Sequence, residues 1–282
     1  MFTLIAENEY GEQLELTNNP AYVIKSIAGL DPPDATINTT NNAGEDGSKY
    51  NSGSVGNRTL TLTVAINSPA EPNRIALYTY FKTKKKTRIY YSNDTRDVYI
   101  DGYVQRMTIG FFDKKQVAQI VILCPQPFFN AIDENIVDFS STTAGFEFPF
   151  SLPAEGAAFS TITLDDNKNI INGGDVESGF VIKLAAFGEV VNPQIYNMQT
   201  NEFFKLTITL ADGDEVTIDT RKKQKSVTLL HGGITSNIIG HLDQGSTWLS
   251  LTPGDNIFLV TATTTPENMI VTAIERDQFE GV

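Results

Sequence analysis

Three residue types that carry much of protein chemistry are scarce in this 282-residue chain, which has one cysteine, two histidines and one tryptophan. A single cysteine, Cys124, excludes an intrachain disulfide, and its apolar surroundings predict a buried thiol. His231 and His241 are ten residues apart beside glycines, whereas a metal-binding pair on a helix is spaced by three or four. We therefore expect no metal, no cofactor and no catalytic residues: the chain is predicted not to be an enzyme.

Positive charge and long apolar runs are also scarce. Lys and Arg number 21 against 34 Asp and Glu, which gives a formal net charge of -13. Nucleic acids and anionic membranes attract clustered Lys and Arg, so neither is expected as the main partner. Residues 1–9 reach carboxylates before an apolar segment could form, and the sequence has no apolar run of about 18 residues. These features predict a soluble protein made in a cytoplasm.

What the sequence does contain is a regular alternation of turn signals and short apolar runs. Turn clusters at 172–179, 192–197, 212–215 and 253–256 separate runs of strand length such as 180–184 and 257–260. This spacing is typical of an all-β sandwich. No pair of these turns joins a nucleophile to a base, so the pattern favours a surface that binds.

The first part of the chain predicts strands, one helix and a polar arm. Three strands are expected within residues 2–27, a half-buried strand at Arg58–Ile66, a helix from Pro69 to Phe81, and further strands near 89–91, 98–107 and 116–123. The helix carries an expected apolar stripe of Ile75, Leu77, Tyr78 and Phe81. The basic run 82–88 is interpreted as a solvated helix C-terminus, with docking to an acidic subunit as the alternative.

Residues 36–56 are too polar to bury a core of their own. A polar loop of this length within a compact domain is usually functional or disordered, and we interpret it as a protruding assembly arm. The candidate assembly residues within it are Asn41, Gly44, Asp46, Lys49, Tyr50 and Asn51.

The proline-rich break at 125–127 is the predicted domain boundary. Residues 1–127 would form the first domain, and 128–282 an all-β second domain that opens with strands near 135–139 and 145–150. Asp165 begins a weak match to a calcium loop, but Ile170 stands where the loop needs glycine. The pair Asp212 and Asp214 flanks a glycine, as in a hairpin turn.

Trp248 leaves two interpretations open. A lone tryptophan in a sandwich more often belongs to the core, yet its flat ring could serve as a glycan platform. A carbohydrate-binding module is therefore the alternative function, although it gives residues 1–127 no role. A glycoside hydrolase would need two carboxylates about 5–10 Å apart, and nothing in the sequence favours such a pair.

Several segments, taken in order, resemble the distal tail proteins of bacteriophages that infect Gram-positive hosts. These segments are Arg74 to Phe81, Ile122 to Phe129, Asn172 to Gly179, Ser246 to Asn256, and Phe279 to Val282. The resemblance extends over essentially the whole chain. It rests on the order and spacing of the segments, since each alone is a common turn or strand pattern.

This resemblance implies a mainly β protein at the tail tip of a virion. It implies an N-terminal β-barrel-like domain with one helix and a long hairpin arm, which closes into a homohexameric ring, and a peripheral C-terminal galectin-like β-sandwich. The implied partners are the tail tube protein, the tail hub, the tape-measure protein and receptor-binding proteins, with no membrane among them. DNA would pass through the ring without specific binding, and an acidic lumen suits such passage.

Overall fold

The chain folds into two compact units, made of residues 1–132 with 278–282 and of residues 133–277. The computed structural model describes residues 2–44, 46–113, 115–144, 160–164 and 167–282, with the backbone alone described at 141–144 and 160–164. The sequence-based boundary lay at residue 127. The chain continues in the first unit to residue 132 because strand Phe129–Ala131 pairs there, and the segment 278–282 returns to the same unit.

The first unit consists of one large sheet, a separate hairpin and one helix. The sheet strands are β1 (Thr3–Glu7), β2 (Gln13–Glu15), β3 (Tyr22–Ala28), β6 (Arg58–Ile66), β7 (Lys86–Ser92), β8 (Asp97–Ile109), β9 (Val117–Cys124), β10 (Phe129–Ala131) and β25 (Gln278–Phe279). The hairpin is formed by β4 (Ala35–Thr40) and β5 (Lys49–Val55), and the helix is α1 (Ala70–Tyr80).

The large sheet is open rather than closed into a barrel. Its strands follow the order β2-β1-β7-β8-β9-β6-β3, with β10 beside β8 and β25 beside β10. Within the described residues, β2 pairs with β1 and β3 pairs with β6, so neither end of this path closes onto the other. The mainly β fold is as expected, but the barrel-like expectation overstated closure.

Alternation along β6 creates the core-facing surface of this sheet. Leu60, Leu62 and Val64 are fully buried, while the intervening threonines are exposed or half-buried. β6 lies between β3 and β9, and β9 adds Ala118, Ile120 and Ile122 to the same core. A period-two pattern places alternate side chains on one face, and here that face carries the core.

Helix α1 begins after Pro69 and ends before Phe81, close to the predicted bounds. Leu77 and Phe81 are buried, but Ile75 and Tyr78 are 55% and 39% exposed, so the predicted stripe was wrong at these two positions. The buried face runs instead through Ala70, Leu77 and Tyr80. The basic run does not cap the helix either, because the last turn of α1 contains no basic residue and Lys86 and Arg88 belong to β7, which pairs with β8.

The second unit is a sandwich of two sheets. The strands of its six-stranded sheet, in spatial order, are β11 (Asn135–Asp138), β24 (Met269–Glu275), β15 (Val181–Ala186), β20 (Glu215–Asp219), β21 (Ser226–His231) and β22 (Ile234–Asn237). The four-stranded sheet contains, in spatial order, β14 (Lys168–Asn172), β23 (Gly254–Thr261), β17 (Gln194–Asn197) and β18 (Phe203–Lys205).

Short elements complete this unit. They are the strand pairs β12 (Ser140–Ala144) with β13 (Ser160–Leu164) and β16 (Val190–Val191) with β19 (Thr209–Leu210), and the 3-10 helices Ile239–His241 and Pro266–Asn268. The strand predicted at 145–150 and the aspartates at 165–166 lie outside the described residues.

Both sheets of the second unit contribute to one core. Ile182, Ile218 and Val271 come from the six-stranded sheet, and Phe204 and Phe258 from the four-stranded one. Phe258 packs against Phe180, with 5.4 Å between ring centroids. Two sheets that share one apolar interior form the sandwich expected from the turn spacing.

Candidate assembly surface

The predicted arm is a β-hairpin whose strands pair with each other alone among the described residues. Every residue from Ala35 to Thr40 is exposed, as is every residue from Lys49 to Ser54. An isolated two-stranded hairpin is marginal in water because it buries little apolar surface. This hairpin therefore needs a partner surface to be held firmly.

The two faces of the hairpin differ in character. The register places Ile37 opposite Gly53 and Thr39 opposite Tyr50, so Ile37 and Tyr50 share one face. Ile37 is 55% exposed and Tyr50 is 62% exposed. A Cβ atom added at Gly53 would lie 3.2 Å from Tyr50 Oη and 3.4 Å from Ile37 Cδ1. Both side chains therefore lie over Gly53 and form a small apolar face open to solvent.

The opposite face is polar. Asn38 Nδ2 donates to Ser52 Oγ at 3.0 Å, directly across the hairpin. Thr36 and Ser54 also pair on this side. The arm is thus amphipathic, which indicates that one particular face meets a partner. Ile37 is not among the predicted arm residues, although apolar and polar residues alternate from Ala35 to Asn38.

The structure places the predicted arm residues along the tip and the returning strand. Asn41, Gly44 and Asp46 are exposed in the connection between β4 and β5, and Gly44 has φ +87°, which favours glycine. Lys49, Tyr50 and Asn51 belong to β5.

Two of these arm residues have identifiable roles in the hairpin. Asn51 Nδ2 donates to Thr40 Oγ1 at 2.5 Å, which holds the irregular register near the tip. Tyr50 alone of the six residues contributes to the apolar face. The other five are small or polar groups at or beside the tip.

Trp248 is half-buried in the second unit and packs against its core. Its ring centroid lies 5.3 Å from that of Phe204, at an interplanar angle of 59°. Lys225 Nζ lies 5.2 Å from the indole ring. This environment combines aromatic packing with a cation contact.

The two histidines lie in separate hydrogen-bonding environments. His231 Nδ1 is 2.5 Å from Asp214 Oδ1, while His241 Nδ1 is 3.2 Å from the Thr207 carbonyl oxygen. Asp214 also accepts from the Ala211 amide, so it fixes the predicted Asp212–Asp214 turn. Within the described residues, no three His, Cys, Asp or Glu side chains are placed to hold a metal ion. Over the same residues, no helix combines the length and hydrophobicity needed to cross a membrane.

The β8–β9 connection carries a second exposed apolar feature, which sequence reasoning missed. Phe112 is fully exposed at this tip, and Phe111 is 54% exposed. The guanidinium of Arg74 on α1 lies 5.0 Å from the Phe111 ring centre. Two adjacent phenylalanines between strands were the available signal.

Family comparisons match both units. Residues 9–124 match the family described as a phage tail protein RIFT-related domain, and residues 173–273 match that described as a siphovirus-type tail component, C-terminal domain. The two matches follow each other in the order expected from the resemblance. The chain belongs to the siphovirus-type tail components. It is a structural protein of the distal phage tail, located at the virion tail tip.

Solved structures show the same fold over nearly the whole tail component. The Dit protein (gp 19.1) of phage SPP1 is 14% identical and aligns with a TM-score of 0.65, covering 98% of this chain and 99% of that one. The SPP1 protein is described as a paradigm of the hub adsorption apparatus in phages that infect Gram-positive hosts.

A chain of the phage P2 baseplate, in its activated conformation with Ca, is 10% identical with a TM-score of 0.52 and covers 98% of both chains. At such identities these likenesses establish the fold. No curated protein sequence matches this tail component.

Proposed function

We propose that this tail component forms a homohexameric ring through its first unit. In this role it joins the tail tube to the tail tip and the host-recognition apparatus. The observation that carries the proposal is the amphipathic hairpin β4–β5, which stands apart from the large sheet and exposes Ile37 and Tyr50 on one face. A neighbouring copy would cover this face, as in a heterologous ring interface.

The ring would be assembled with other tail proteins. We propose the tail tube protein, the tail hub and the tape-measure protein as axial partners, with receptor-binding proteins bound to the second unit. The similar structures are described as parts of a hub adsorption apparatus and of a baseplate, which supports such assembly for this chain.

The net charge of -13 supports the passage of DNA without specific binding. A polyanion is repelled by an acidic wall, so it would move through the ring without adhering. The second unit would be a galectin-like sandwich without hydrolytic activity. We propose that Trp248 acts there in packing, because it contacts Phe204 and the core.

The experiment compares two arm variants of the full chain. The double variant Ile37→Thr with Tyr50→Thr removes the apolar face while keeping residues that suit strands. The matched control, Thr36→Ser, changes the polar face of the same hairpin. Native mass should fall toward the monomer for the double variant and stay unchanged for the control. Equal assembly of both variants would contradict a role for this face.

A further inference from the structure

Two short connections join the arm to the large sheet. Residues 29–34 lead from β3 into β4, and residues 56–57 lead from β5 into β6. Gly29 makes the first turn out of β3 with φ +92°, a conformation that favours glycine. Neither connection is part of a strand, so the direction of the arm depends on what holds these residues.

Arg58 ties the two connections together. It is the first residue of β6, and its Nη1 donates to the carbonyl oxygens of Gly29 and Asp31 at 2.5 and 2.7 Å. The residue that ends the returning connection therefore binds the outgoing one. Its Nη2 donates to the carbonyl oxygen of Glu280, a residue 222 positions away in sequence. A distant segment of the chain thus meets the root of the arm.

Residues 280–282 pack directly on the outgoing connection. The Val282 amide donates to the Leu30 carbonyl oxygen at 3.2 Å. Gly281 is buried, and a Cβ there would lie 3.0 Å from Pro32 Cδ and 3.1 Å from the Leu30 carbonyl oxygen. Glycine therefore permits a backbone approach that a side chain at this position would hinder.

The sheet holds this segment independently of the arm. β25 pairs with β10 through Phe279 and Phe129. Arg96, in the connection between β7 and β8, donates to the Gly281 carbonyl oxygen and lies over the Phe279 ring, 4.2 Å from its centroid. Residues 280–282 are thus fixed to the sheet on one side and contact the arm root on the other.

The length of the arm amplifies any motion at its root. β4 has six residues, and a strand of that length reaches about 20 Å. A tilt of about 10° at the root would therefore move the tip by about 3.5 Å. Pro32 and Pro33 stiffen the outgoing connection because each fixes its own φ, so a contact at Pro32 acts on the direction of β4.

We propose that residues 280–282 act as a brace that sets the direction of the arm, with Gly281 and Val282 as positioning residues for assembly. This role rests on the proposed function of the arm in the ring. Without the brace, the apolar face of the arm would point toward its neighbour only part of the time. An arm that is correctly directed for a tenth of the time binds about tenfold more weakly.

The test measures the direction of the arm within one copy of the full chain. Spin labels are attached at Lys49→Cys in β5 and Gln119→Cys in β9, which are exposed positions of the arm and the sheet. Cys124 stays unlabelled, because it is buried and burial raises the pKa of its thiol to about 12. The labelled chain is mixed with excess unlabelled chain at a concentration where native mass shows monomers.

Two variants disturb the brace and one serves as a matched control. Gly281→Val places a branched side chain against Pro32, and Val282→Pro removes the amide that donates to Leu30. Both should broaden the distribution of distances between the labels or shift its mean by about 3 Å or more. Gly56→Val should leave the distribution unchanged, because a Cβ at Gly56 meets no atom within 4 Å.

Circular dichroism checks that each variant remains folded, so that a change in distance is not a loss of the fold. Val282→Pro keeps the test decisive if Gly281→Val does not fold, because it exchanges one apolar side chain for another and removes a single hydrogen bond. The protein concentration at half-assembly should rise about tenfold for the brace variants and stay constant for Gly56→Val.

The distance measurement and the mass measurement separate the brace from the ring. Brace variants that keep the narrow wild-type distribution would overturn the proposal whatever their native mass, as would a wild-type distribution as broad as theirs. Broadened distributions in a chain that never assembles would support the brace and contradict the ring.

Discussion

Arg58 joins segments of the first unit that lie far apart in sequence. It is 4% exposed, and its guanidinium donates to the carbonyl oxygens of Gly29, Asp31, Pro127 and Glu280. It also lies over the Phe129 ring, 4.6 Å from the centroid. Burial lowers the pKa of Arg58, but four oriented acceptors satisfy its charge.

Arg58→Lys should destabilise the first unit by about 2–4 kcal/mol. Lysine keeps the charge but has a single side-chain nitrogen, so it cannot donate at once to the four carbonyl oxygens that the planar guanidinium of Arg58 contacts. Chemical denaturation followed by circular dichroism measures the loss. Arg106→Lys, at an exposed position of β8, is the control and should change stability little. Equal stabilities for both variants would contradict the role assigned to Arg58.

Trp248→Ala should destabilise the second unit by about 2–4 kcal/mol, because it removes the contact with Phe204 and leaves a cavity beside the core. Trp248→Phe should recover part of this loss. Thermal denaturation by circular dichroism provides the comparison. If Trp248→Ala instead keeps full stability and abolishes retention on host cell-wall glycan, the platform interpretation replaces the packing one.

At the scale of elements, strands with apolar alternation were predictable from their own residues, whereas the hairpin form of the polar arm was implied by the family resemblance alone. The bounds predicted for β6 agree with the structure because Leu60, Leu62 and Val64 alternate with threonine. The arm strands lack this signal, since their faces are exposed to solvent and carry few apolar residues. The residues indicated an arm and the resemblance implied a hairpin, while the register of β4 against β5 came from the structure.

Other errors also have physical causes. The helix bounds were predicted closely, but Ile75 and Tyr78 were assigned to the wrong face because the buried face depends on how α1 packs on the sheet. The return of residues 278–282 to the first unit depends on pairing between Phe129 and Phe279, which lie far apart in sequence. Of the two residues that form the apolar face of the arm, the sequence predicted Tyr50 but not Ile37.

Replacing Ala35–Val55 with a short Gly-Ser linker should leave the melting temperature of the first unit nearly unchanged. Ala35 and Val55 are paired across the base of the hairpin, so a short loop can join their neighbours. The same variant should lose assembly, since the apolar arm face is gone. Calorimetry measures the melting temperature, and native mass measures assembly. Unfolding of the first unit would contradict a purely intersubunit role for the arm.

At the scale of the whole molecule, the acidic charge opposes assembly. Each copy carries a formal net charge of -13, so copies brought into a ring repel one another. The assembled fraction should therefore rise between about 20 mM and about 300 mM NaCl, as screening shortens the range of repulsion. Sedimentation at fixed protein concentration measures this. A fraction that falls steadily with salt would indicate an interface dominated by attractive ion pairs instead.

The most direct test of the central claim is the native mass of the purified full chain across a concentration series. Six copies of the 31.0 kDa chain give a particle of about 186 kDa. The account predicts this mass as the limiting species at high concentration, with sixfold symmetry in electron micrographs of the same sample. A chain that stays at 31.0 kDa at every concentration, with the arm intact, would contradict the ring.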